Sequence, residues 1–139
     1  MKAKILELLK GMNSDSKKES SICNREICKI LNGVCNKLNS IESFICGYNT
    51  YPDKIETIDE DNTYKGIDRL PKTIWCNDGD VEFETSWLDI DLKDYFESLK
   101  NKEINNKKRI IESVENSLNK HKKDLETLKT LYYENIILN

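Results

Sequence analysis

Seven carboxylates crowd one short stretch of this chain, and their type and spacing could support chemistry. They fall within seventeen residues: Asp78, Asp80, Glu82, Glu84, Asp89, Asp91 and Asp94. Clustered carboxylates bind divalent metals, work in pairs as acid and base, or attract cationic surfaces. Asp78-Gly79-Asp80 lacks the spacing and the final glutamate of an EF-hand calcium loop. Carboxylate pairs arise in any acidic segment by composition alone, so they do not by themselves indicate a glycosidase.

We therefore interpret the stretch as a surface that docks on a basic protein. The residues predicted to bind the partner are Asp78, Asp80, Glu82, Glu84, Asp89 and Asp91. Clustered carboxylates steer association with Lys- and Arg-rich grooves, including grooves that normally hold nucleic acid. A solvated face that only keeps the protein in solution remains the simpler alternative.

Other chemistry-bearing residues give no catalytic signature. The five cysteines contain no CxxC pair, and the single histidine, His121, lies far from them in sequence: Cys23, Cys28, Cys35, Cys46 and Cys76. This spacing favours neither a zinc site nor a Cys–His nucleophile. Each of the five glycines stands alone, which excludes a glycine-rich phosphate loop. We predict no enzyme activity, no catalytic residue, no metal site and no cofactor.

The charge is segregated along the chain. Residues 53–97 hold fourteen acidic and five basic side chains, whereas residues 1–52 and 98–139 each carry a net charge of +3. The number of cysteines is odd, and the sequence shows no secretion signal or membrane-spanning stretch. Both observations predict a reduced, cytoplasmic setting. The fifteen asparagines and the scarcity of Ala and Pro are typical of AT-rich genomes, including those of low-GC bacteria, their phages and their plasmids.

The periodicity predicts a mostly helical α+β fold. We expect a small domain over 1–90, with helices at 2–11, 24–31 and 35–46, and a β-hairpin at 73–85 turning at Asp78-Gly79. Asn32-Gly33 is a turn signal, so residues 24–46 are read as two helices. Residues 12–21 are predicted to be a linker. Residues 48–72 are predicted to be a surface loop, mobile near 59–62, with a possible short strand at 54–58.

Residues 91–139 are predicted to form one long helix that mediates assembly. A seven-residue repeat places Ile104, Ile111, Leu118, Leu125 and Tyr132 at one seam position and Lys107, Val114, His121, Leu128 and Asn135 at the other. An isolated helix with such a stripe needs a partner. We expect a homo-oligomer, most simply a dimer, joined through Ile104, Ile111, Val114, Leu118, Leu125, Leu128 and Tyr132. Packing of this stripe on the chain's own domain is the alternative.

The segment from Arg25 to Ile41 resembles a helix-turn-helix over about twenty residues. Cys28 takes the place of the small residue in the first helix, and Asn32 or Gly33 takes the turn. The resemblance implies a DNA-binding regulator that dimerises through its C-terminal helix and presents Asn36, Lys37, Asn39 and Ser40 to base edges. The low basic excess and the acidic hairpin both oppose DNA binding.

The favoured function is therefore a non-enzymatic, oligomeric interaction module that binds a basic protein partner. In composition it is similar in character to phage- or plasmid-encoded inhibitors that occupy nucleic-acid-binding grooves. The helix-turn-helix regulator is the alternative, and nucleic acid is a partner only in that interpretation. An oligomer that binds a small ligand between its subunits is a third possibility. No membrane association is predicted.

Overall fold

The protein has the mostly helical α+β fold that the sequence predicts. The computed structural model describes residues 1–60 and 64–137. Within them lie helices α1 (Lys2–Gly11), α2 (Lys17–Cys46), α3 (Leu92–Lys129) and α4 (Tyr133–Ile137), with strands β1 (Thr73–Cys76) and β2 (Val81–Glu84). A short 3-10 turn, Thr85–Asp89, follows β2. The chain divides into two compact units, Met1–Leu99 and Lys100–Asn139, whereas the sequence suggests a boundary at residue 90.

Helix α1 spans the residues predicted for it. Its Ile5, Leu8 and Leu9 side chains are buried. At its end, Gly11 allows close approach to α2, because a Cβ atom there would lie 2.5 Å from the Cys23 sulfur.

Helix α2 is a single helix, so the predicted break into helices 24–31 and 35–46 is wrong. It begins at Lys17, within the predicted linker, because Ser16 accepts a hydrogen bond from the Glu19 backbone N–H at its N-terminus. The helix continues through Asn32-Gly33 because one of its faces is buried along its length. This face carries Ile27, Leu31, Cys35 and Leu38. A glycine inside a helix costs about 1 kcal/mol, which the burial of these four side chains outweighs.

The β-hairpin is confirmed. Strands β1 and β2 pair antiparallel, with Ile74 opposite Phe83 and Trp75 opposite Glu82. Ile74, Cys76 and Phe83 are fully buried, as expected for alternate positions that face the core. The turn includes Asn77, Asp78 and Gly79, all with positive φ, and Asn and Asp tolerate this left-handed backbone better than most residues.

Residues 51–58 form an extended segment without regular secondary structure, as expected of a loop, but the segment lies along α2, so its predicted position over the surface is wrong. Ile55 and Ile58 are each only 2% exposed, and Tyr64 is also buried. The expected strand at 54–58 reduces to an isolated antiparallel bridge between Ile58 and Cys76. The predicted mobile stretch at 59–62 lies partly outside the described residues.

Three asparagines of α2 hold the backbone of this extended segment. The Asn24 amide donates to Ile58 O (2.9 Å) and accepts from Ile58 N (3.0 Å). Asn32 makes the same pair of bonds with Ile55, at 2.8 and 2.7 Å. Asn39 accepts from Tyr51 N (3.0 Å) and donates to Tyr51 O (3.2 Å). Each asparagine therefore makes the two backbone hydrogen bonds that a residue of a neighbouring strand would make. We call Asn24, Asn32 and Asn39 the asparagine clamps.

The spacing of the clamps matches the geometry of the two elements. From Asn24 to Asn39, α2 rises about 22 Å at 1.5 Å per residue. From Ile58 back to Tyr51, an extended chain spans about 23 Å at 3.3 Å per residue. The segment therefore runs antiparallel to the helix with a clamp near each end and one between.

The C-terminal helix is shorter than predicted. Asp91 caps α3, since its Oδ1 accepts from Asp94 N at 3.0 Å. The helix ends at Lys129, although the sequence suggested a helix to 139. The Thr130 hydroxyl donates to Glu126 O at 3.2 Å, as the Thr127 hydroxyl does to Lys123 O at 3.0 Å within the helix. The seam therefore runs regularly from Ile104 to Leu128, and Tyr132 lies beyond it.

Candidate interaction surfaces

The outer face of the hairpin gathers the predicted carboxylates with one aromatic side chain. Glu82 lies on β2 and Asp80 in the turn, and both are exposed, as is Asp78. Trp75, the partner of Glu82 across the two strands, is 42% exposed on the same face. We call Trp75, Asp78, Asp80 and Glu82 the hairpin surface. Its combination of an indole ring and carboxylates suits a cation, because arginine or lysine stacks on an indole face.

The remaining predicted partner-binding residues have roles within the fold. Glu84 is half-buried and accepts a hydrogen bond from the Thr73 hydroxyl at 3.1 Å. Asp89 forms an ion pair with Lys2 at 2.6 Å, both side chains being largely exposed. Asp91 caps α3. These three carboxylates are therefore less available to a partner than those of the hairpin surface.

The hairpin surface is held by bonds on both sides of β1. Beyond the pairing with β2, Asn77 N donates to Thr57 O at 2.8 Å and Asp59 N donates to Trp75 O at 2.9 Å. The Asn77 amide oxygen accepts from Glu56 N at 2.7 Å, and Asp59 Oδ1 accepts from Asp78 N at 2.9 Å. These bonds to residues 54–59 fix the backbone of the turn. The carboxylates of the turn are therefore attached to an ordered backbone.

The second surface is the apolar seam of α3 in the Lys100–Asn139 unit. Its predicted contact residues are 44–65% exposed: Ile104, Ile111, Val114, Leu118, Leu125, Leu128 and Tyr132. The other seam positions include Lys107, which pairs with Glu103 at 3.8 Å, and His121. Ile110 and Leu131 widen the exposed apolar area. A helix of this kind gains little stability on its own, because most helix stability comes from packing of the apolar face.

The predicted DNA-reading residues lie on one uninterrupted helix. Asn36, Lys37 and Ser40 are exposed, and the Ser40 hydroxyl donates to Asn36 O at 2.8 Å. Asn39 is buried and bonded to Tyr51. The turn required by the helix-turn-helix interpretation is absent from α2, and one of its four reading residues is an asparagine clamp.

A buried carboxylate that the sequence did not single out anchors the start of α3. Glu42 is 3% exposed and accepts from Thr50 N (2.9 Å), from the Thr50 hydroxyl (2.6 Å) and from the Tyr95 hydroxyl (2.9 Å). Burial, followed by hydrogen bonds with Tyr51 and Glu42, raises the pKa of the Tyr95 phenol above its ordinary value. Because Glu42 is engaged by these donors, we assign it to structure; a polar residue on the buried face of α2 was the only sequence signal.

The buried thiols are poor nucleophiles. Burial raises the pKa of Cys35 to about 11 and the pKa of Cys76 to about 12. A thiol reacts as its thiolate, so both are protonated at neutral pH. Among residues 1–60 and 64–137, no three His, Cys, Asp or Glu side chains come together as ligands for a metal ion.

Comparison with known proteins gives no relative to set beside these surfaces. No helix in the described part of the chain has the length and hydropathy to cross a membrane. No family model, curated protein or solved structure matches the chain.

Proposed function

We propose that this protein is a non-enzymatic interaction module that self-associates through α3 and binds a basic protein surface through its hairpin surface. The observation that carries the proposal is the half-exposed Trp75 opposite Glu82 on a fixed hairpin. Tryptophan is frequent among the residues that dominate interface affinity. Here the indole ring and the carboxylates offer an arginine both stacking and charge.

The net charge of the surrounding segment supports the same proposal. Residues 53–97 carry a net charge of −9 within a chain of net charge −3. A concentrated negative field speeds encounter with a positive partner and disfavours nucleic acid. A partner groove rich in arginine or lysine, such as one that holds nucleic acid, is the expected target, and occupying it would make the protein an inhibitor.

An oligo-arginine peptide tests the proposal directly. We expect Asp80→Lys with Glu82→Lys to weaken peptide binding at least tenfold at moderate ionic strength, measured by fluorescence anisotropy of the labelled peptide. The matched control is Asp15→Lys with Glu26→Lys, which makes the same charge change at exposed positions of the same unit. Equal weakening by both double variants would mean that net charge alone binds the peptide and would overturn the proposed surface.

The aromatic part of the surface needs its own pair of variants. Trp75→Ala should weaken oligo-arginine binding about threefold to tenfold, from a cation–π contribution of about 0.7–1.4 kcal/mol. Phe44→Ala is the control, because Phe44 is an aromatic side chain that is 87% exposed and belongs to α2. If Trp75→Ala binds as tightly as Phe44→Ala, the indole ring has no part in recognition.

A shift of duplex DNA in a gel at low salt would favour the helix-turn-helix regulator instead.

A further inference from the structure

We infer that the α3 seam is covered by α3 of a second copy, in a parallel, in-register, two-stranded coiled coil. This inference rests on the self-association proposed above and adds its stoichiometry and direction. The occupant is identified by the charges that flank the seam, since the residues beside a coiled-coil seam set partner choice and orientation.

The flanking positions are fixed by the register of the seam. With Ile104, Ile111, Leu118 and Leu125 at position a, the preceding g positions hold Glu103, Ile110, Ser117 and Asp124. The e positions hold Lys108, Glu115, Lys122 and Lys129. Both charged g positions are therefore acidic, whereas three of the four e positions are lysine.

A parallel arrangement pairs these charges favourably. There each g residue faces the e residue of the next heptad on the other helix. Glu103 then faces Lys108 of the second copy, and Asp124 faces Lys129 of the second copy. Symmetry repeats both contacts, and Ile110 and Ser117 occupy the other g positions, so no like charges oppose each other across the flanks.

An antiparallel arrangement opposes like charges. It brings e positions opposite e positions and g positions opposite g positions. Aligning the seam from Ile104 to Leu128 then sets Lys108 against Lys122 and Glu115 against Glu115 of the second copy. With the other neighbour, Lys108 faces Lys129, and only the pair of Glu115 with Lys122 offsets that repulsion. The acidic g positions find no basic g position in return.

The polar seam residues are compatible with two strands. Lys107 Nζ lies 3.8 Å from Glu103 Oε1, one turn earlier on the same helix. The ammonium group therefore lies beside the seam, while the aliphatic part of the side chain can pack within it. Isoleucine at position a with leucine at position d favours two strands; Ile104 and Ile111 supply the first, and Leu128 supplies the second in a later heptad. In register, His121 meets His121 of the second copy, a polar layer that sets register at a cost in affinity.

Cross-linking of the full chain tests the direction. In the parallel dimer the two copies of residue 125 face each other, so Leu125→Cys should give a disulfide-linked dimer on mild oxidation. Lys123→Cys, on the outer face of the helix, and the unsubstituted chain are the controls. In the antiparallel alternative residue 125 lies near Lys107 of the second copy, so Leu125→Cys would link only when mixed with Lys107→Cys.

Sedimentation and charge reversal complete the test. Lys108→Glu with Lys129→Glu should weaken dimerisation at least tenfold, whereas Lys120→Glu with Lys123→Glu, the same charge change away from the flanks, should not. His121→Leu should strengthen dimerisation. A monomeric mass at every concentration would overturn the self-association itself. A dimer that links only in the mixed pair would overturn the parallel direction alone, and a trimeric mass would overturn the stoichiometry.

Discussion

The asparagine clamp at Asn32 offers the most direct test of how this fold is stabilised. We expect Asn32→Ala to lower the free energy of unfolding by about 1.5–5.5 kcal/mol. The side chain makes two short bonds to Ile55, at 2.7 and 2.8 Å, and Ile55 is 2% exposed. Truncation leaves a buried N–H and a buried C=O without these partners, at about 1–3 kcal/mol each. The better helix propensity of alanine returns about 0.5 kcal/mol.

The measurement is urea unfolding followed by tryptophan fluorescence. Trp87 packs edge-on against Tyr51 (5.0 Å between ring centroids) and Phe83 (4.9 Å), so it reports on the unit that contains the clamps. With a slope of about 2 kcal/mol per molar urea, the predicted loss lowers the midpoint by about 1–3 M. The slope should stay unchanged, because the surface exposed on unfolding is nearly the same.

The matched control is Asn36→Ala, one turn further along the same helix. Asn36 is exposed, and its backbone carbonyl, which survives the substitution, accepts the bond from Ser40. This variant should change the free energy of unfolding by less than about 0.5 kcal/mol. If Asn32→Ala and Asn36→Ala unfold at the same urea concentration, the clamp contributes nothing and the reasoning is refuted.

Three further predictions concern packing and ionisation in the same unit. Gly33→Ala should stabilise the protein by up to about 1 kcal/mol in thermal unfolding, because Gly33 is helical with open space at its Cβ; a loss of stability would mean a turn there after all. Gly11→Ala should destabilise by about 1 kcal/mol or less, because its Cβ would meet only the Cys23 sulfur, which can rotate away, and Cys23→Ala in the same chain should remove most of that loss in a double-mutant cycle. The raised pKa values of Cys35 and Cys76, about 11 and 12 against an ordinary 9.0, mean that the unfolded chain ionises first. Their contribution to stability is therefore complete below pH 9 and falls as the pH rises toward 12, which pH-dependent urea unfolding will detect; flat stability there would contradict it.

Local signals were enough to predict several elements of the fold. Helix α1 follows from its apolar spacing, and the hairpin follows from the turn signal at Asp78-Gly79. In each case the deciding interactions lie within a few residues of one another.

Long-range interactions account for what the sequence did not predict. The clamps join residues 12 to 34 positions apart, and no local pattern specifies which backbone an asparagine will bind. The abundance of asparagine looked like compositional bias for that reason. Three asparagines at intervals of eight and seven residues beside an apolar stripe were the available signal. Asn32-Gly33 misled in the same way, because a local turn preference was outweighed by a buried face shared with distant residues.

The candidate surfaces were predictable only in part. The seam of α3 could be predicted from its repeat, and the carboxylates of the hairpin from their clustering around Asp78-Gly79. The exposure of Trp75 could not be read from composition, since tryptophan is usually mostly buried; it follows from the register that sets it opposite Glu82. The structural duties of Asp89 and Asp91 depend on Lys2 and on the start of α3, so they too needed the fold.

The continuity of α2 also bears on the chemical lifetime of the protein. Asn-Gly sequences lose the side-chain amide most readily, because the glycine nitrogen can attack the asparagine carbonyl with no side chain in the way. In α2 that nitrogen belongs to Gly33 inside a helix, where backbone N–H groups bond four residues back, and the Asn32 amide is held by Ile55. Folding thus shields the one bond whose hydrolysis would convert Asn32→Asp and remove the donor to Ile55. Asn32 should therefore lose its amide slowly in the folded protein and quickly in the unfolded chain. Each unfolding event carries a risk of irreversible damage to the Asn32 clamp.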